Sequence, residues 1–305
     1  MQTTLDTIVA FEGKGLHTGA FASVVVRPAP ADHGIVFRRT DVTDHADVSA
    51  LWSNVIVSPL NTRIENAAGT KVSTIEHIMA ALAGCGIHNA LIEVSGPEVP
   101  ILDGSAAEFV EGFMRAGVRT MSAPLRVIEV LKPVTVTVGG ATATLTPADT
   151  LHIEFEIDFA DRAIGHQEKH LNMSNGAFVR ELCDSRTFCR SSDVDAMRAQ
   201  GLALGGTLEN AVVVDGAEVL SPGGLRHRDE AVRHKMLDAL GDLYTAGAPI
   251  LGRYTGQKAG HAVTNALLRA LFDDPDAWGW AVADAATAAR LPGAGIRWSD
   301  LPAVA

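Results

Sequence analysis

Val232-Arg233-His234-Lys235-Met236-Leu237-Asp238-Ala239-Leu240-Gly241-Asp242 reads as the heart of a helix predicted over 230–246. His234 and Asp238 stand four residues apart on one face, and Asp242 continues that stripe. Val232, Met236, Leu240 and Leu243 give the helix a separate apolar side, and Gly241 leaves room beside the polar one. A histidine and a carboxylate one turn apart can chelate zinc. A catalytic zinc takes three protein ligands and keeps a fourth position for water, so a third has to come from elsewhere. Taken alone, the pair is more often an ordinary i,i+4 contact on a solvated helix face, since such pairs are common.

Working outward, a second helix is expected over 261–272 and follows Lys258-Ala259-Gly260-His261. Strand patterns run through 127–130, 134–138, 141–145 and 152–159. Upstream, strands are expected at 22–27, 34–38 and 90–94 and helices at 74–83 and 105–115. Met121-Ser122-Ala123-Pro124 reads as a linker. The expectation is two α+β domains, 1–123 and 124–305, each giving strands, helix, strand, helix. A stretch near 190–220 reads as an insertion, with a short helix at 194–198 and an apolar strand at 211–214.

Composition narrows the function. Hydrophobic residues make up 47% of 305 and charged residues 20%, enough for two packed cores. The net charge of -11 disfavours nucleic acid as a partner. Cys85, Cys183 and Cys189 form no CxxC pair and suit a reducing compartment. No apolar run of membrane-spanning length and no leader-like N-terminus is read, so stable membrane insertion is not expected. A cytoplasmic protein is expected, with room for transient visits to a membrane surface.

Two further places carry chemistry. In Ser73-Thr74-Ile75-Glu76-His77, Glu76 is either a general base beside a metal-binding His77, or the N3 member of a capping box with Ser73. His261 opens a helix, where the dipole lowers its basicity, whereas an acidic neighbour such as Asp242 would raise it and orient the ring.

Together these stretches resemble one family along almost the whole chain, the UDP-3-O-acyl-N-acetylglucosamine deacetylases of lipid A biosynthesis in Gram-negative bacteria. The resemblance also rests on Gly13-Lys14-Gly15-Leu16-His17-Thr18-Gly19, on Val99-Pro100-Ile101-Leu102-Asp103-Gly104-Ser105-Ala106 and on Arg186-Thr187-Phe188. It implies two βααβ-type sandwich domains packed together with the site at their interface. It implies His77, His234 and Asp238 as ligands of one catalytic zinc ion per chain. Glu76 matches the general base, His261 the catalytic histidine, Asp242 its partner and Thr187 the oxyanion-steadying residue. Lys235, Phe188 and Phe159 match substrate contacts, and Asn61 aligns near the site where some relatives have cysteine. The insertion matches a passage for the acyl chain. The implied partner is an acylated UDP-sugar met by a monomer at the inner face of the inner membrane. Two other readings stand beside this one: a zinc amidohydrolase for another acetylated small molecule, and a non-catalytic sugar-nucleotide-binding protein. Two departures are plain. Cys189-Arg190 stands where many relatives have Gly-Phe, and Ala141 where many have a lysine, leaving Arg190 or Lys235 to compensate. A His₂Asp set suits iron(II) as well as zinc.

Overall fold

The computed structural model describes residues 1–58 and 60–302. The first half runs β1 (Thr3–Leu5), β2 (Val9–Lys14), β3 (Phe21–Pro28), β4 (Ile35–Arg39), β5 (Asp47–Ser49), β6 (Val55–Ile56), β7 (Arg63–Glu65), β8 (Lys71–Ser73), α1 (Glu76–Gly84), β9 (Ala90–Val94), α2 (Ala107–Ala116) and β10 (Val118–Thr120). The second half runs β11 (Arg126–Val130), β12 (Val134–Val138), β13 (Ala141–Thr146), β14 (Leu151–Asp158), β15 (His166–Asn172), α3 (Ala177–Glu181), β16 (Phe188–Arg190), α4 (Ser191–Ala199), β17 (Val212–Asp215), β18 (Glu218–Val219), α5 (Glu230–Tyr244), β19 (Ile250–Gln257), α6 (His261–Asp273), β20 (Trp278–Val282) and α7 (Ala285–Ala288). The fold is α+β.

The two halves repeat one topology. In the first, the sheet order is β2-β3-β9-β4-β5, with β9 antiparallel to β3 and parallel to β4. In the second, β19 is antiparallel to β13 and parallel to β14, giving β12-β13-β19-β14-β15. The strand that follows the first long helix is inserted between the second and third strands in both. That makes α1 the counterpart of α5, and α2 of α6. The echo is absent from the residue identities and exists in the threading.

Hydrophobic patterning sets the layers. Along β3, Ala22, Val24 and Val26 point inward, and β14 alternates Leu151, Ile153, Phe155 and Ile157 in the same way. Helix α1 is buried along its whole length, as an almost uniformly apolar helix between two layers has to be. Its main partner is α5. The helix layers of the two halves therefore face each other, and buried side chains from both form one continuous core.

Besides the short strands, four longer ones have no counterpart in the sequence reading: β2, β15, β19 and β20. β15 is an edge strand whose sequence, His-Gln-Glu-Lys-His-Leu-Asn, carries little apolar alternation: one face is open, and on the other Gln167, Lys169 and Leu171 are only half-buried. The start of α1 differs as well. Ser73 is not its cap: it ends β8 and accepts a hydrogen bond from Arg63 Nε at 2.9 Å. The helix begins at Glu76 with no side-chain cap. Between them Thr74 takes φ +58°, a left-handed conformation unfavourable for a β-branched residue. Among the described residues, no helix is long and apolar enough to cross a membrane.

Candidate metal centre and catalytic cleft

Helices α1 and α5 touch backbone to backbone. A Cβ on Gly241 would lie 2.1 Å from the Glu76 carbonyl oxygen and 3.1 Å from the Ala80 nitrogen, so only glycine permits this approach. The contact brings His77 of α1 against His234 and Asp238 of α5. Ligand atoms of the three lie within 4.8 Å of one another, and all three residues are buried. Asp238 Oδ1 is 3.4 Å from His234 Nε2 and 3.7 Å from His77 Nε2.

The donor chemistry fits a metal. Asp238 Oδ1 is buried without a hydrogen-bond partner, a costly state that a cation would relieve. His234 Nδ1 lies 3.0 Å from the Ser185 carbonyl oxygen. A carbonyl only accepts, so Nδ1 carries the hydrogen and Nε2 turns its lone pair to the cluster. Burial lowers the basicity of His234, and burial together with His234 takes His77 down to about 3. Both rings are thus neutral, as ligation requires. For Asp238, burial alone would favour the protonated acid. His234 and Lys235, whose Nζ sits 2.9 Å from Oδ2, overcome this and hold the carboxyl well below its usual range. Two neutral imidazoles and one carboxylate suit a borderline divalent ion.

Beside the cluster lies an acid–base pair. Glu76 Oε2 accepts the Thr62 amide at 2.9 Å, and Oε1 faces His261 Nε2 at 3.9 Å. Its carboxylate is thus spent on a residue of another loop and not on a capping box, so the capping alternative falls. Burial pushes Glu76 up to about 8, against the pull of His261. His261 is the first residue of α6, and its Nδ1 lies 2.8 Å from Asp242 Oδ2. Burial disfavours its cation, but Asp242 and Asp238 outweigh burial and raise it to about 9. The acidic neighbour overrides the helix end. Thr62 links the two sides, its amide on Glu76 and its hydroxyl on Asp242 Oδ1.

A second ring of contacts holds the strained entry to α1. Buried Glu98 accepts hydrogen bonds from the His17 and Thr18 amides, both at 2.8 Å, and from the Thr18 and Thr74 hydroxyls at 2.7 and 2.8 Å. A Cβ on Gly15 would fall 2.3 Å from Glu98 Oε2, which explains the glycine in that loop. Asn61 is enclosed, its amide donating to Thr74 Oγ1 at 2.9 Å and accepting from Ser58.

Of the remaining predicted residues, Phe188 and Phe159 stand beside the cluster. The Phe188 ring sits edge-on to His234 with centroids 6.3 Å apart, and Phe159 meets Phe188 at 5.5 Å. Thr187 is fixed through its backbone to Gly104 and Val212. Thr187 and Phe188 line a cavity of roughly 380 Å³ that continues past Leu16, Val194, Met197 and Val213 into the 188–219 segment. That segment is a small βαβ unit, with β16 parallel to β17 across α4. Ala141 pairs with Val138 at the tip of the β12–β13 hairpin. Arg190 is engaged by Asp193 at 2.7 Å.

Thr62, Glu98, Ser185 and Glu230 are absent from the sequence reading. The signal for Glu98 was an acid set between Pro97 and Pro100 in an apolar stretch. The others work through contacts far apart in the chain and leave no local pattern.

An imidazole–imidazole–carboxylate cluster, flanked by a buried carboxylate and a carboxylate-held imidazole, has the equipment of a metal-assisted hydrolase. Known proteins bear on the hydrolase part of that description and narrow it to a deacetylase. A family model described as UDP-3-O-acyl N-acetylglycosamine deacetylase matches residues 2–273. The chain is 52% identical over 278 residues to the UDP-3-O-acyl-N-acetylglucosamine deacetylase of Phenylobacterium zucineum (strain HLK1), covering 91% of this chain and 95% of that one. Proteins of the same description from Shewanella sp. (strain W3-18-1) and Shewanella frigidimarina (strain NCIMB 400) are 45% and 44% identical over 279 residues, with 91% of each chain covered. The chain belongs to the UDP-3-O-acyl N-acetylglycosamine deacetylase family.

Proposed function

We propose that this chain removes the N-acetyl group of a UDP-3-O-[(3R)-3-hydroxyacyl]-N-acetylglucosamine, releasing acetate, as a zinc-dependent step of lipid A biosynthesis. The observation that carries this reading is the convergence of His77 with His234 and Asp238 beside Glu76 and His261. His77, His234 and Asp238 would hold one zinc ion, which when bound would supply Lewis acidity and lower the pKa of a water.

The chain's own groups do the rest. Glu76 has one oxygen anchored by Thr62, which leaves Oε1 to take a proton from the attacking water. A divalent cation beside it would oppose the burial that raises this carboxyl and would favour its ionised, proton-accepting form. His261 keeps Nδ1 on Asp242 and turns Nε2 inward, in position to give a proton to the leaving amine nitrogen. The Thr187 hydroxyl steadies the carbonyl oxygen as it gains charge. Phe188 and Phe159 form an aromatic wall for the sugar nucleotide, and Lys235 brings a cation to its edge. The apolar cavity supports a place for the acyl chain. Asn61 supports the turn that sets Thr74 and Glu76.

We read 1–123 and 124–305 as the two domains, supported by the repeated five-strand order. We take the protein to work as a cytoplasmic monomer, with transient visits to the inner face of the inner membrane.

The test is acetate release from the acylated sugar nucleotide, with metal analysis on the same sample. Turnover with about one zinc per chain is expected. No acetate release by the metal-loaded protein overturns the reading.

A further inference from the structure

The peptide group joining Ser185 to Arg186 is gripped from both ends by α5. Its carbonyl oxygen accepts from His234 Nδ1 at 3.0 Å, and its N–H donates to Glu230 Oε1 at 3.0 Å. Glu230 and His234 are four residues apart on α5, so one helix face reaches both ends of a single peptide. Glu230 is 1% exposed. It also takes Arg186 Nε at 2.9 Å, Arg186 Nη2 at 3.1 Å and the Arg226 amide at 2.7 Å. Its carboxyl sits below the usual range, because these hydrogen bonds outweigh the burial that would favour the acid.

We propose that Glu230 is a positioning residue that acts on His234 through the Ser185–Arg186 peptide. A negative charge at the N–H end polarises the peptide and makes its carbonyl a stronger acceptor. The stronger acceptor fixes the His234 ring and its tautomer, and makes Nε2 more basic toward a metal. Metal-bound histidines commonly have a carboxylate or a carbonyl on the other ring nitrogen. Here the two are arranged in series. The same clamp sets the strand that continues into Thr187, whose amide is tied to Gly104 at 2.8 Å. The inference rests on the reading of His234 as a metal ligand.

Glu230→Gln isolates the charge, since Gln keeps the size and one acceptor oxygen. Arg186→Lys loosens the fork and leaves the Glu230 charge. Val24→Ala, in the far sheet, is the control for general loss of stability. Zinc affinity of each protein is measured by competition with a chelating indicator, and kcat and KM are measured separately. We expect Glu230→Gln to weaken zinc binding by about 10-fold and to lower kcat by a similar factor, with KM moving less than twofold. Arg186→Lys should fall between it and wild type, and Val24→Ala should keep wild-type affinity. Glu230→Gln binding zinc as tightly as Val24→Ala overturns the proposal, whatever its melting temperature. If Glu230→Gln does not fold, Glu230→Asp, whose shorter side chain withdraws the charge from the Arg186 amide, takes its place, and wild-type zinc affinity there overturns the proposal. Wild-type protein that binds no zinc removes both this inference and the metal reading, whereas an unchanged Glu230→Gln beside a zinc-binding wild type removes this inference alone.

Discussion

Glu76→Gln separates chemistry from architecture at one atom. Glu76 Oε2 is fixed by the Thr62 amide, and a glutamine oxygen can accept that same bond. The substitution then places an NH₂ group where Oε1 faces His261. An amide there takes no proton, so the loss is that of a positioned base, roughly 10²–10⁴-fold in kcat. At 1.36 kcal/mol per tenfold, this is about 3–5 kcal/mol of barrier. Folding should not suffer. In metal-stripped protein, burial holds Glu76 up to about 8, well above its unfolded value of about 4.3. A carboxyl raised on folding contributes stability below its unfolded pKa and loses it as pH rises through the folded one. Glutamine has no such loss. The metal-free variant should therefore melt no lower than metal-free wild type at pH 7, with its advantage growing from about pH 4 and levelling off above about pH 8. The assay is acetate release at saturating substrate, with zinc content measured in parallel and melting followed by circular dichroism. A zinc-loaded variant with kcat within threefold of wild type would refute Glu76 as the base.

Replacing His77 or His234 with Ala should abolish stoichiometric zinc on elemental analysis, and full occupancy in both variants would dismiss the ligand assignment. Gly241→Ala forces a methyl group against the Glu76 carbonyl, so urea unfolding should show a loss of about 1–3 kcal/mol. Unchanged stability would mean that the α1–α5 contact is looser than described. Substrate lacking the acyl chain should lose at least about tenfold in kcat/KM, because binding energy in the cavity is used to reach the transition state. Equal values for both substrates would sever the cavity from catalysis.

How far the sequence could be read depended on the range of each interaction. The α5 stripe was legible because His234, Asp238 and Asp242 are neighbours on one helix, and α1 because its apolar run has no strand alternative of that length. The His261–Asp242 pair was inferable from residue types, and its distance of 2.8 Å belongs to the structure. Ser73 and Glu76 misled by a local pattern: the capping-box spacing is present, but pairing of β7 with β8 draws Ser73 into a strand. β15 was silent because its inward face is only half-buried, so Gln167 and Lys169 serve beside Leu171 where a core strand would need apolar residues. The repeated threading was only faintly legible because topology constrains strand order and not residue identity. Thr62, Glu98 and Glu230 work through partners distant in the chain, and no spacing rule registers such contacts.

The contact at Gly241 also carries a thermodynamic consequence. His77 arrives on a helix of the first half, and His234 with Asp238 on a helix of the second, so an ion shared by them is a cross-link between two sheets' worth of chain. An ion that binds only this assembled state stabilises it by RT ln(1 + [L]/Kd), about 2.7 kcal/mol at a hundred times Kd. On the proposed ligation, metal supply and stability are linked quantities: a chelator that strips the ion should lower the melting temperature of the whole two-layer core along with removing activity.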